Sequence, residues 1–436
     1  MAIVDDLQIH QAKQQDEAAA DVPRSSQMPV RYGQSAWHAQ LPKSARPTFP
    51  KLTGRLEIPI VVVGGGLTGC ATAYALSAAG QRVALIESGH IAAGATAQAA
   101  GLLMASPGLD FLDLEKRHGL RVARALWQDT RRAALDAQAT LRRLKIRCNL
   151  QPSDSVVAAR TEEEGKRLKR ELAALKSAGL EASWLSSRAL QQATGLDGPG
   201  AIKTHGHASL DPLRASLGLA RAAAVRGGAV FERSPVEKIK VVRNGIEVIA
   251  GKATIAAQTV IVATGEPTGL FPPLARHFVN AETYAVLTPP LGADVRRTAG
   301  TREAIVEDRH VPPHRLCWTS DDRILWTGAD QPRVPDRKRK DVLVQRTGQL
   351  MYELLLAFPA ISGVVPEHGW HAPWSRAVDD LPFIGAHRNY PHHLFAWGLG
   401  TNLAAAFLAS RILVRACQGS AEKSDEYFGF ARLSGR

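Results

Sequence analysis

Residues 58–87 read IPIVVVGGGLTGCATAYALSAAGQRVALIE, and their order decides the fold. The apolar run Ile60–Val63 predicts a strand that enters Gly64-x-Gly66-x-x-Gly69. Small residues from Thr68 to about Ala79 predict a helix, Gly80 ends it, and Val83–Ile86 predicts a second strand that closes on Glu87. Strand, glycine turn, helix, strand and acid in that order make a βαβ dinucleotide-binding unit. Gly64 permits the tight turn, Gly66 brings backbone amides close to a pyrophosphate, and Gly69 lets the helix lie close on the strand. With Gly65, Leu67 and Thr68, this turn presents free N–H groups and the positive end of a helix dipole to the phosphates. Glu87, with Ser88 beside it, is placed to accept hydrogen bonds from a ribose 2′-OH, and its charge disfavours a 2′-phosphate.

The totals limit the alternatives. A chain of 436 residues predicts two or more domains. The most apolar window is the fingerprint itself, cut by glycines, so it reads as strand, turn and helix and no transmembrane segment is expected. The first residues lack a basic stretch followed by an apolar core, so no secretion signal is expected. Cys70, Cys148, Cys317 and Cys417 are dispersed and form no metal-ligand spacing, so no metal site is expected. They read as reduced thiols of a cytoplasmic protein.

The net charge of +13 arises in the body of the chain: Lys116–Arg147 holds ten Lys/Arg against two Asp, and 337–340 reads RKRK. Leu120, Ala123, Leu126, Ala134, Ala137, Leu141 and Leu144 recur there at helical spacing, which predicts a long amphipathic helix with one break and a basic outer face. No aromatic-interleaved basic motif accompanies it, so nucleic acid is not an expected partner.

Residues 1–54 read as a flexible polar extension with an anchored end, where Tyr32, Trp37 and Leu41 dock. After the βαβ unit come a Gly/Ala loop (91–103), helices at 112–146 and 162–178, and a strand at 150–159 between them. A helix is expected at 211–226, and short strands follow from 229 to 263. Residues 278–326 read as mostly β, 336–358 as a helix, and 393–417 as strand, glycine turn and helix. Nucleotide-domain material at both ends with an antiparallel section between predicts an α/β plus α+β fold. A Rossmann-like domain would be built from 55–148, 205–268 and 375–430, with a cap domain from 149–204 and 269–374.

Three further segments resemble the glycine oxidase/sarcosine oxidase/D-amino acid oxidase superfamily. Gly94-Ala95-Thr96-Ala97-Gln98-Ala99-Ala100-Gly101-Leu102 is similar to its loop after the ribose acid. Trp370 followed by Asp379-Asp380-Leu381-Pro382-Phe383-Ile384-Gly385 is similar to its W…D-x-x-P-x-I-G element. Residues 394–413, LFAWGLGTNLAAAFLASRIL, resemble its closing strand, turn and helix, and Val260–Gly265 its strand on the adenine side. Ser35-Ala36-Trp37 and Ala125–Thr130 are most similar to the γ-glutamylputrescine oxidase-like branch. The resemblance spans about residues 35–418 and implies non-covalent FAD. It places Gly94, Ala95, Thr96, Gly101, Leu102, Val236, Gly265, Gly398, Gly400, Thr401 and Asn402 along the cofactor.

It also implies oxidation of a C–N bond of an amine or amino acid to an imine by hydride transfer to flavin N5. Electrons would pass on to O2 or another acceptor, since no second GxGxxG is present for a nicotinamide partner. Candidate substrate-facing residues are Tyr284, His314, Arg315, Trp318, Trp374 and Arg376. Where the family's amino-acid oxidases carry a carboxylate-clamping Arg, this chain has Trp374, with Arg376 two residues on. That departure favours an amine over a simple amino acid. Two other readings stand beside this one: an NAD-dependent dehydrogenase, and a non-catalytic FAD-binding assembly or partner protein that uses the basic helix as its contact face.

Overall fold

The computed structural model describes residues 29–435. The part of the expected extension at 1–28 lies outside them. Ile60–Val63 and Val83–Ile86 form parallel neighbours at the heart of a six-stranded sheet. Its order is Phe383–His387, Tyr390–Trp397, Thr259–Gly265, Ile60–Val63, Val83–Ile86, Ala229–Phe231, parallel except for the first pair. Every residue of the two fingerprint strands is buried, as a sheet covered on both faces requires. Ile60 and Val62 share one core with helices Leu67–Ala78, Pro212–Val225 and Ala404–Gln418. Val61 and Val63 share the other with Val248 and Ile255 of a small antiparallel sheet over 238–257.

The glycine pattern has a cause inside the protein as well as a ligand-facing one. Gly64 has φ +111°, and a Cβ on it would stand 2.6 Å from the Ala263 carbonyl oxygen of the neighbouring strand. A Cβ on Gly69 would stand 1.8 Å from the Gly64 carbonyl oxygen, so any side chain there lifts the helix off the turn.

The second sheet has ten strands. From Arg31–Tyr32 its order runs through His368–Ala377, Phe278–Leu287, Ile324–Pro332, Arg315–Trp318, Ala304–Glu307, Gln151–Ala159 and Gly200–Ser209 to Leu102–Leu103, with Ser183–Ser186 paired beside Gly200–Ser209. Helix Asp336–Ala357 covers one face, where Leu343, Leu350 and Leu354 pack on Tyr284, Val286 and Trp326. The fold class is therefore a Rossmann-like α/β domain joined to a largely antiparallel sheet.

Several boundaries differ from the sequence reading. The expected cuts at 204/205 and 374/375 fall inside the strands Gly200–Ser209 and His368–Ala377. The end of the extension is anchored, as expected for Trp37 and Leu41. Arg31–Tyr32 pairs with His368–Gly369, Trp37 and Leu41 are buried, and Tyr32 remains 42% exposed. The long basic segment forms helices Phe111–His118 and Leu120–Arg143, broken at Gly119. Two strands gave no readable pattern. Gly200–Ser209 is made of small and polar residues, and His368–Ala377 contains Pro373, which cannot donate to a ladder.

Candidate active site

A cavity of about 930 Å³ is enclosed by the glycine-rich segments at 94–102 and 398–402, strands of the larger sheet, and residues of helices Leu120–Arg143 and Glu162–Ser177. That is the upper end of the range for ligand sites. Leu67 and Thr68 at the start of the fingerprint helix line it, as do Gly94, Ala95 and Thr96. Leu102, Gly265, Gly398, Gly400, Thr401 and Asn402 complete the sequence-predicted residues on its wall. Gly64–Gly66 form the turn before Leu67 and Gly69 lies in the helix after it, and none of the four lines the cavity.

Glu87 also stands off the wall, half-buried at the end of its strand. Its Oε2 accepts from the Gly65 N–H at 2.6 Å, and its Oε1 accepts from the Gly89 N–H at 2.8 Å and from the exposed Ser88 hydroxyl at 2.9 Å. The acid thus fixes the turn. Val236 packs with the small sheet's core, and Gly101 is held at the Leu210 backbone, whose N–H donates to its carbonyl at 2.9 Å.

The 94–101 loop is pinned from three sides. Ser35 Oγ donates to the Ala97 carbonyl at 2.5 Å, and Trp37 Nε1 to the Ala99 carbonyl at 2.8 Å. Trp370 Nε1 donates to the Gln98 carbonyl at 2.8 Å. Thr96 Oγ1 in turn accepts from the Leu67 N–H at 3.0 Å, so the loop sets the first turn of the fingerprint helix. Asn402 locks the other end. Its Oδ1 accepts from the Met104 and Ala404 N–H groups at 3.0 and 2.9 Å. Its Nδ2 donates to the Met104 and Ser106 carbonyls at 3.1 and 2.9 Å. The side chain is committed to positioning, which leaves its backbone on the cavity.

Of the substrate-facing candidates, Trp374, Arg376 and Arg315 line the cavity, and Tyr284, Trp318 and His314 do not. Tyr284 is 1% exposed in the core under helix Asp336–Ala357, its hydroxyl bonded to Glu282 and Gln331. Burial, with the Glu282 charge, pushes that hydroxyl up to about 12. Trp318 lies in the same core with the Arg302 guanidinium over its ring. His314 is clasped between Asp308 at 2.8 Å and Glu353 at 2.9 Å. Burial works against its charge, but the bond to Asp308, together with the Asp308 and Glu353 charges, holds it above the ordinary imidazole value. Strand alternation separates Tyr284 from Trp374, although His371, on the Tyr284 face, also reaches the cavity. In the pairing of Phe278–Leu287 with His368–Ala377, Tyr284 opposes His371 while Ala281 opposes Trp374, an odd number of residues along, so the two rings point to opposite faces.

The arginines on the wall already have carboxylates. Arg309 makes a bidentate pair with Asp110 at 2.9 Å, Arg315 meets Glu307 at 2.6 Å, and Arg333 meets Glu266 at 2.9 Å. Arg339 meets Asp336 at 2.7 Å and Glu282 at 3.8 Å. Arg376 meets Asp380 at 2.9 Å, and Arg117 bonds the same carboxylate. Asp330 also lines the cavity, yet among the described residues it makes no ion pair. Sequence reasoning missed it, because an Asp after Gly328-Ala329 at a strand end reads as a turn.

A protein interior satisfies its polar groups, and four of the exceptions lie on one strand. His371 Nδ1, Trp374 Nε1, Ser375 Oγ and Arg376 Nε are buried without hydrogen-bond partners, and all four residues line the cavity. A helix N-terminus on the wall, a pinned glycine loop and the unpaired Trp374 Nε1 and Arg376 Nε suit a long, partly polar cofactor with a substrate beside it. No cysteine lines the cavity, and no cluster able to hold a metal ion is present among the described residues.

Comparison with known proteins agrees with the architecture. The FAD dependent oxidoreductase (DAO) family matches residues 59–416. The chain is 26% identical over 388 residues to gamma-glutamylputrescine oxidoreductase of Escherichia coli, covering 87% of this chain and 88% of that protein. It is 30% identical over 346 residues to glycine oxidase of Geobacillus kaustophilus, covering 75% and 84%. Among solved structures, L-proline dehydrogenase from P. horikoshii superposes with a TM-score of 0.72 at 17% identity, covering 87% of this chain and 98% of that one.

Proposed function

The chain belongs to the FAD dependent oxidoreductase family, and from that premise we propose that it oxidises a C–N bond of an amine or N-alkylated amino compound to an imine, which water then hydrolyses. FAD, when bound, supplies the hydride acceptor, and the electrons pass from it to O2 or another small acceptor. Gamma-glutamylputrescine oxidoreductase and glycine oxidase, by their names, act on compounds with such a bond, which supports the substrate class.

In this reading Leu67 and Thr68, with Gly64–Gly66 before them, hold the pyrophosphate, and Glu87 holds the adenosine ribose. Gly94–Thr96, Leu102, Gly265 and Gly398–Asn402 hold the rest of the cofactor, and the helix at 404–418 presents its N-terminal end to the flavin side. The FAD-binding segments are those centred on 55–148, 205–268 and 375–430, with the larger sheet as cap. Trp374 supplies an aromatic wall for the substrate. Basic residues on Leu120–Arg143 remain a solvated face.

The observation that carries the amine assignment is the Arg376–Asp380 pair, since a guanidinium with its own carboxylate is a poor clamp for an amino acid. An amino-acid substrate is the second reading. It is favoured by the buried, unpartnered Nε of Arg376 and by the sharing of Asp380 with Arg117. An anaerobic screen of amines, N-methyl amino acids and D-amino acids against the purified protein tests the proposal. Loss of flavin colour with amines is expected, and loss with D-amino acids alone would refute the assignment.

A further inference from the structure

We propose that Asp330 is a specificity-determining residue that binds the positively charged nitrogen of the substrate as an ammonium and then takes one proton from it, so that the neutral amine left beside the protonated Asp330 is the species whose adjacent C–H is oxidised. The inference rests on the amine reading above and names the group that recognises the amine.

Three observations carry it. The first is backbone geometry. Strand Ile324–Pro332 pairs with Phe278–Leu287 in regular register, but the ladder slips between Glu282↔Gln331 and Tyr284↔Gly328. Ala329 and Asp330 therefore oppose the single residue Thr283, which is a β-bulge. Ala329 sits there at φ +54°, a conformation that side chains other than Asn and Asp seldom adopt. Bulges re-aim a side chain at the edge of a site, and strained backbone of this kind gathers where function holds it.

The second is charge. Each arginine on the cavity wall has a carboxylate within ion-pair distance, whereas Asp330 has no cation within that distance among the described residues. Asp330 is half-buried and bonded by the Thr283 hydroxyl, so it has a hydrogen-bond partner but no paired cation, an incomplete arrangement for a carboxylate partly withdrawn from water. An incoming ammonium supplies an ion-pair partner that the nearby Arg315, His314 and Arg376, each paired with another carboxylate, do not.

The third is the neighbourhood. Thr283 from one adjacent strand, His314 and Arg315 before and on the other, and Arg376 from the strand beyond are the groups that act on the Asp330 carboxyl. Burial pushes it above its ordinary value, and the Thr283 bond and those three positive groups only partly offset this. Arg315 is turned to Glu307 and Arg376 to Asp380, while His314 is held by Asp308 and Glu353. Trp374 on the same wall adds an aromatic face, which attracts a cation independently.

The test uses tert-butylammonium, which has no hydrogen on the carbon next to nitrogen and so binds without being oxidised. Calorimetry and the perturbation of the flavin spectrum read its affinity for the FAD-loaded protein. The expected result is binding to the wild type, at least tenfold weaker binding to Asp330→Asn, substantial recovery in Asp330→Glu, and no difference between variants for uncharged tert-butanol. Should Asp330→Asn lose flavin or fold poorly, the wild type decides the matter alone. Affinity for tert-butylammonium must then fall as pH is lowered through a midpoint above the usual aspartate value of about 3.9.

Equal affinity in wild type and Asp330→Asn, no binding to the wild type, or binding independent of pH would each overturn the inference. If tert-butylammonium binds through Asp330 but no amine or amino acid removes the flavin colour, the inference stands and the proposed reaction falls. If amines remove the colour while Asp330→Asn binds the probe normally, the inference alone falls.

Discussion

Trp370 donates its indole N–H to the Gln98 carbonyl across 2.8 Å, which ties the 94–101 loop to the strand that carries Trp374 and Arg376. Two elements far apart in sequence thereby form one cavity wall. The indole is fully buried, so the bond is shielded from water and the carbonyl has no solvent to turn to.

Trp370→Phe keeps most of the apolar volume and removes the donor. Leaving the Gln98 carbonyl unpaired destabilises by about 1–3 kcal/mol, and loosening the loop should weaken FAD binding as well. Thermal unfolding of the flavin-free protein and an FAD titration separate the two effects. A lower melting temperature with unchanged FAD affinity would mean that the loop does not contact the cofactor.

Glu87→Ala should lower FAD affinity by about ten- to a hundredfold, from the loss of a charge-assisted hydrogen bond of about 1.5–3 kcal/mol. Part of that loss comes from the freed Gly65 and Gly89 amides, which the carboxylate holds in the turn. Glu87→Gln retains an acceptor oxygen and should lose less. FAD affinity unchanged in Glu87→Ala would remove this residue from the site.

Much of this arrangement is legible in the sequence, for definable reasons. The fingerprint is legible because each glycine answers a local steric demand that recurs wherever this turn is built, as Gly64 and Gly69 do here. The loop at 94–101 and Trp370 are legible only as a resemblance, since the bond between them joins residues 272 apart and no local rule encodes it. The substrate side is least legible. Tyr284 and Trp374 are both aromatic residues on paired strands, and only the register of Phe278–Leu287 against His368–Ala377 sends one into the core and the other to the cavity. Asp330 is hidden for the same reason, because the bulge that aims it follows from how two strands meet.

Tyr284→Phe should leave substrate KM and kcat unchanged. Its hydroxyl serves Glu282 and Gln331 inside the core, so its removal should appear instead as a stability loss of about 1–3 kcal/mol in denaturant unfolding. A large change in KM with normal stability would return Tyr284 to the substrate site.

Arg376→Met should barely alter turnover of a carboxylate-free amine. With an N-methyl amino acid as substrate, KM should rise at least tenfold if the free Nε of Arg376 is what holds the carboxylate. Steady-state kinetics with the two substrate types, side by side, give the answer.

The Asp308–His314–Glu353 cluster predicts a pH signature in stability. His314 is raised above its ordinary 6.5, so its contribution is whole below that value and is lost as pH rises through the folded-state value. Asp308 is held below its ordinary 3.8 by the His314 bond and charge against the opposing effect of burial, so its contribution is present above that value and is lost as pH falls through the folded-state value. His314→Gln should therefore flatten the decline in melting temperature on the alkaline side of about pH 6.5. A decline identical to that of the wild type would assign it to other groups.

The central claim is that the cavity holds FAD with its pyrophosphate at the turn Gly64–Leu67, and Gly66→Val tests it most directly. A Cβ at Gly66 already lies 3.1 Å from Thr96 Oγ1, and the remainder of a valine side chain would occupy the space before the helix amides. The measurement is flavin content after purification, with circular dichroism to confirm folding. The wild type should be yellow and release FAD, not FMN, on denaturation, and folded Gly66→Val should be colourless. A folded Gly66→Val protein that carries a full complement of FAD would contradict the account.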